Sequence, residues 1–129
     1  MLAIIKEKNG FFKIRTMYAL KNKVQLIGNL GNTPEVYYTD DGRKWVRFSI
    51  ATNETYYNNK GEKVTETQWH TLVAWGKLAD LVQRYLNIGR QIVVEGKLVN
   101  RNYYDKTGSR RYITEIVVNE LLILGANVA

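Results

Sequence analysis

The sequence predicts an all-β domain with one short helix, folded as a five-stranded Greek-key barrel, and three observations carry that reading. Apolar residues recur with the period of a strand in five stretches, at 24–30, 45–55, 69–75, 91–99 and 112–124. A helical period occurs once, between the third and fourth of these, where Leu78, Leu81, Val82, Tyr85 and Leu86 fall on one stripe and Asp80 and Arg84 lie off it. Turn-forming clusters separate the stretches, so the order is β-β-β-α-β-β, which suits a small closed barrel plugged by its helix.

Taken in order, residues 1–16 read as an extension upstream of the domain. Asn9-Gly10 is a turn signal between Leu2 to Ile5 and Phe11 to Ile14, which could pair as a hairpin, and Met17 is a candidate native start. The domain is expected over 17–126, with 127–129 a short end. Its first strand covers 24–30, bends at Gly31 and continues over 34–38; Asp40-Asp41-Gly42 is a hairpin turn. The second strand places Val46, Phe48 and Ile50 on one face and Arg47, Ser49 and Ala51 on the other. A polar finger over 56–63 follows, opened by Tyr56 and Tyr57. In the third strand Trp69, Thr71, Val73 and Trp75 share one side while His70, Leu72 and Ala74 share the other. Gly89 fits the position that closes the helix. The fourth strand points Ile92, Val94 and Leu98 inward, and a second finger occupies 100–111 before the last strand.

Composition narrows the function classes. No apolar run approaches the roughly 20 residues a membrane-crossing helix needs, and charge begins too early for a secretory signal, so a cytosolic protein is expected. The absence of cysteine and the single histidine argue against disulfides and zinc sites, and no metal or cofactor is expected. Asp40-Asp41 beside Gly42 is a turn rather than an acid/base pair, there is no phosphate-binding loop, and Gly28-Asn29-Leu30-Gly31 is a strand bend. Ser49, Ser109 and His70 sit in no nucleophile motif, so catalysis is not expected. His70, opposite the tryptophans, reads as a packed or subunit-interface residue.

A net charge of +7 points instead to a polyanionic partner. Trp69, Trp75, Tyr56, Tyr57, Tyr103 and Tyr104 fall on one strand face or at the bases of the fingers, and Arg47, Lys60, Lys63, Lys77, Arg101, Lys106, Arg110 and Arg111 interleave with them. Bases of a single strand stack on such rings without requiring a particular sequence, and the cations meet the phosphates. These fourteen residues are the expected nucleic-acid site.

Particular runs resemble the bacterial single-stranded DNA-binding protein family. They are 22–31 with Pro34-Glu35-Val36, then Phe48-Ser49-Ile50-Ala51-Thr52, Thr67-Gln68-Trp69-His70 and Trp75-Gly76-Lys77-Leu78-Ala79. Tyr85-Leu86, Gly89, Val94-Glu95-Gly96 and Arg111-Tyr112 through Val117-Val118 continue the resemblance, which spans about Tyr18 to Gly125. It implies an OB-fold homotetramer that coats single-stranded DNA in replication, recombination and repair, in the cytoplasm at the nucleoid. It further implies stacking by Trp69 and Trp75, with Trp75 standing for the usual phenylalanine, and by Tyr56 and Tyr103 in place of the usual tryptophans. His70 matches a histidine of the family's subunit interface. The chain reads as a form lacking the family's flexible linker and acidic tip, so recruitment of other proteins through such a tail is not expected. The rival reading is a dimeric OB-fold adaptor of a replication-restart primosome, which the mass in solution distinguishes. A small nuclease is the other rival, for which no metal or nucleophile constellation exists.

Overall fold

The computed structural model describes residues 2–6, 12–16 and 21–125. In chain order the elements are β1 (Leu2–Lys6), β2 (Phe12–Thr16), β3 (Val24–Leu30), β4 (Glu35–Tyr38), β5 (Lys44–Tyr57), β6 (Lys63–Trp75), α1 (Lys77–Tyr85), β7 (Gln91–Tyr104) and β8 (Arg110–Ile123). β1 and β2 pair antiparallel, Leu2 opposite Thr16 through Lys6 opposite Phe12, which is the expected hairpin. Its Asn9-Gly10 turn, Phe11, Met17, Tyr18 and residues 127–129 lie outside the described residues.

The barrel is one sheet in the order β3-β7-β8-β6-β5, closed by β5 returning to β3 through Asn29–Ala51 and Leu30–Ile50. β6 and β8 join in parallel at Leu72–Ile116 and Val73–Val117, and the other joints are antiparallel. Closure depends on the bend after Leu30. There the Gly31 N–H donates to the Ser49 carbonyl (2.9 Å), and Asn32 Oδ1 accepts from the N–H and hydroxyl of Ser49 (2.8 and 3.0 Å). The chain thereby leaves β3 and re-enters the sheet as β4, on the other half of β5, with Glu35 opposite Arg47 and Tyr38 opposite Lys44. Inside, Val46, Phe48, Ile50, Leu72, Ala74, Ile92, Val94, Ile116 and Val118 meet Leu30, and α1 closes one end with Ala79, Val82 and Leu86.

Three sequence expectations need correction. Leu81 is 43% exposed, and Ala79 takes its place in the helix's buried stripe. The helix ends at Leu86 with extended backbone, so Gly89 does not close it. Gly89 sits instead in the turn made by the Arg90 N–H and the Asn87 carbonyl, 3.0 Å apart. Leu98 keeps the inward alternation of Ile92 and Val94 yet is 45% exposed, because β3 begins at Val24, opposite Gly96, and covers nothing beyond that point.

The fingers are also more regular than loops. β5 and β6 remain paired out to Tyr57–Lys63, and β7 and β8 out to Tyr104–Arg110, so each finger is a two-stranded ribbon with a short tip. Both tips, and the turn joining β4 to β5, are built alike. The first residue of the turn (Thr39, Asn58 or Asp105) donates its N–H to the fifth carbonyl, accepts the N–H of the fourth-position glycine, and accepts the fifth N–H on its side-chain oxygen. The glycines, Gly42, Gly61 and Gly108, have φ of 85, 76 and 82°, the left-handed residue that a three-residue hairpin loop requires.

Candidate nucleic-acid interface

Strand alternation and register decide which side chains share the outer face of the barrel. On β6 these are Trp69, Thr71, Val73 and Trp75, as expected, and their partners on β5 are Ala51, Ser49, Arg47 and Trp45. Trp69 is 62% exposed, and its indole lies over Gly31: a Cβ there would stand 2.1 Å from Trp69 Cζ3. The bend that closes the barrel therefore also makes a shelf for this ring. His70, on the opposite face, is half-buried, with Nε2 2.9 Å from the Thr52 hydroxyl.

Trp75 is set differently. It stacks on Trp45 (ring centroids 5.8 Å apart), which stacks on Tyr37 (4.4 Å), so that β4, β5 and β6 each give one ring to a ladder. Arg43 lies over Trp75 at 5.2 Å, and Arg47 over Trp45 and Tyr37 at 5.5 and 5.7 Å. Stacked pairs contribute about 0.5–1.5 kcal/mol beyond their burial, and exposed cation–π contacts about 0.5–1 kcal/mol. The ladder is thus already stacked in the free protein. The Tyr37 hydroxyl donates to Glu35, and this bond to a carboxylate holds its pKa above the ordinary phenol value.

Beside the ladder, one carboxylate organises the cations. Glu115 is 2% exposed, with Oε1 2.6 Å from both Nε and Nη2 of Arg101 and Oε2 3.5 Å from Arg47 Nε. Arg47 Nε and Glu115 Oε2 are buried without a hydrogen-bond partner, so charge alone links them. One buried anion thus fixes two guanidiniums from different strands on the outer face, where Arg47, Arg101 and Tyr103 line a pocket of about 320 Å³.

The ribbons divide the remaining expected residues between two faces. Tyr57 and Lys63 share the side of Trp69, whereas Tyr56 is on the other, where its hydroxyl donates to Glu66 (3.0 Å), a bond that raises its pKa. Tyr103, Arg101 and Arg111 share the outer side of the second finger; Tyr104, Tyr112 and Arg110 take the opposite one, with Arg110 over the Tyr112 ring. Lys60 and Lys106 stand at the tips and Lys77 at the start of α1, all exposed. The structure therefore brings Trp69, Trp75, Arg47, Arg101, Tyr103, Tyr57, Lys63 and Arg111 onto one surface. Tyr56, Tyr104 and Arg110 are not on it. Among the described residues no group of three or more His, Cys, Asp or Glu could hold a metal ion, and no helix is long and apolar enough to cross a membrane.

The model of the Single-strand binding protein family matches residues 21–124. The chain belongs to that family. Single-stranded DNA-binding protein 1 of Chlorobaculum tepidum is 48% identical over 106 residues, covering 81% of this chain and 65% of the relative. Single-stranded DNA-binding protein 1 of Xylella fastidiosa is 47% identical over 105 residues (81% and 77%), and the single-stranded DNA-binding protein of Neisseria meningitidis 41% over 104 (81% and 60%). The chain thus spans less than two thirds of the length of the Chlorobaculum and Neisseria relatives. A solved structure described as a Plasmodium falciparum SSB complex with ssDNA superposes with a TM-score of 0.71 at 34% identity, covering 80% of this chain and 94% of that one. The barrel is accordingly the family's OB-fold.

Against this family background, sequence reasoning missed Tyr37, Trp45 and Arg43, because the ladder is a property of register across three strands. Trp45 opposite Trp75 could have been found by counting outward from the 56–63 finger tip. Glu115 was missed because an acidic residue in an alternating strand reads as a solvated position.

Proposed function

We propose that this protein binds and coats single-stranded DNA without strong sequence preference, by stacking bases on exposed rings and neutralising phosphates, in replication, recombination and repair. The observation that carries the reading is Trp69. A large indole held mostly in solvent on a glycine shelf, in line with Trp75 and beside two arginines clamped by one buried carboxylate, has no evident role in packing but offers a flat ring next to fixed positive charge. The names of the relatives and of the solved complex support the same ligand. The strand would cross the outer face at Trp69 and Trp75, between the fingers, with Tyr57, Tyr103, Arg47, Lys63, Arg101 and Arg111 along it. Tyr56, Tyr104, Arg110, Lys60, Lys106 and Lys77 would meet DNA that continues around the ribbons and barrel end. The action is binding rather than catalysis, by a cytoplasmic homotetramer with His70 at a subunit interface.

The test is Trp69→Ala measured with oligo-dT by fluorescence anisotropy, with the mass of the free protein determined alongside. Weakened binding by a folded tetramer supports the reading. Unchanged affinity refutes the assignment of the face, and a dimer with no affinity for DNA would favour the adaptor role.

A further inference from the structure

The aromatic ladder borders a cavity that opens beside the path proposed for the strand, next to Trp75 and Arg101. At the seam where β6 and β8 pair in parallel, a pocket of about 260 Å³ has Trp45 and Trp75 as one wall, Val73, Val99 and Val117 as apolar lining, and the Arg101–Glu115 pair at its edge. Its volume falls below the roughly 300–1,000 Å³ of pockets that take drug-sized ligands, which suits a single planar ring. The wall is already stacked, so a ligand entering there need not order the side chains that receive it, which removes part of the usual cost of binding. Cations stand on the wall rings and at the edge: Arg43 lies over Trp75, Arg47 over Trp45, and Arg101, paired with Glu115, lines the pocket itself. The one exposed carboxylate in this group is Asp41, 3.3 Å from Arg43, a surface pair that a phosphate can replace at little cost.

We propose that this pocket is a nucleobase subsite, taking one base turned inward from the single strand that passes Trp75, with the flanking phosphates met by Arg43 and Arg101. It deepens the binding role proposed above and rests on it. The face is continuous with Trp69 along β6, so the occupant is the same DNA strand. The bound strand leaves the row of stacked bases at this point, and the rings of β4 and β5 act as the back of the pocket.

The experiment fills the pocket. Val99→Phe places a ring in the cavity from a half-buried position, while Val99→Ala enlarges it. With oligo-dT, Val99→Phe is expected to weaken binding about tenfold, the order of one lost stacking contact, while Val99→Ala binds as the unaltered protein does. Thermal melting of both variants confirms the fold. Should Val99→Phe not fold, Arg43→Glu is compared with Arg84→Glu on α1, which makes the same charge change away from the pocket; a larger loss for Arg43→Glu supports the subsite, and equal losses overturn it. A folded Val99→Phe that binds oligo-dT normally also overturns it, leaving the path across Trp69 intact. No binding by the unaltered protein removes the underlying reading instead.

Discussion

The two fingers have the same tip and different locks. In the first, β5 and β6 are joined by neutral rungs, Asn53–Thr67 at 2.7 Å and Thr55–Thr65 at 3.3 Å, and the tip closes on the amide oxygen of Asn58. In the second, the root is ionic, with Glu115 between Arg47 and Arg101, and the tip closes on the Asp105 carboxylate, which accepts the N–H groups of Thr107 and Ser109 and pairs with Arg111 at 2.8 Å. The same tip geometry is thus closed by an amide in one finger and by a carboxylate in the other, and each ribbon also carries one bond of the opposite kind, Tyr56 to Glu66 (3.0 Å) in the first and Thr114 to Asn100 (2.7 Å) in the second. The second tip should respond to acid and the first should not, and loss of a single carboxylate should cost the second finger more at its root.

The largest expected effect is at the ionic root. Glu115→Ala leaves two guanidiniums without their counter-charge. Breaking a fully buried pair costs about 3–5 kcal/mol, and because Arg47 and Arg101 keep partial access to water the loss here should be about 2–3 kcal/mol in urea unfolding. Thr65→Ala, the matching cut in the first finger, should cost about 1 kcal/mol or less, the net value of one hydrogen bond. Equal losses would erase the distinction between the fingers.

Next comes the ring that each finger flanks. Trp69→Ala should lose about 1–2 kcal/mol of oligo-dT affinity, the lower part of the range for base stacking because one indole face already rests on Gly31. Gly31→Ala should shift Trp69 emission and lose a smaller part of the affinity without removing any DNA contact, which a titration of both variants would compare.

Acid should separate the tips. The Asp105 carboxyl is pulled down to about 2, chiefly by the Thr107 hydroxyl and then by Arg111. A depressed folded-state value contributes order that is complete above the ordinary carboxylate value of 3.8 and fades as pH falls toward 2. Protection of the Thr107 and Ser109 amides, relative to their intrinsic exchange at each pH, should therefore fall over that window, while that of Lys60 and Glu62, on Asn58, does not change through their tip. Asp105→Asn should remove the pH response. The smallest effect is on salt dependence: Arg111→Ala and Lys63→Ala should each flatten the salt slope of binding by up to about 0.7, with Arg111 contributing less because Asp105 already pairs with it.

Much of this architecture was legible in the sequence because strand alternation is a local signal. Val46, Phe48, Ile50, Leu72, Ile92 and Val94 all point where their spacing predicts. Leu98 and Leu81 differ because burial depends on whether a neighbouring strand or the barrel end covers a position, which periodicity does not encode. The exposed indole of Trp69 was legible for the same local reason. Its shelf on Gly31 was not, nor was the Tyr37–Trp45–Trp75 ladder, since each needs the register of strands far apart in the chain. Tyr56 and Tyr57 illustrate the limit most sharply: both stand at a finger base, but one residue of alternation sends Tyr57 to the Trp69 side and Tyr56 to Glu66.

Single-stranded DNA lying on the face of Trp69 and Trp75, held there partly by charge, should quench the indoles that it covers. The measurement is tryptophan emission during titration with oligo-dT, at low and then at high salt. Strong quenching at low salt that added salt reverses is the predicted result. Emission that stays constant while anisotropy reports bound DNA would place the strand elsewhere on the barrel and rule out the Trp69–Trp75 face.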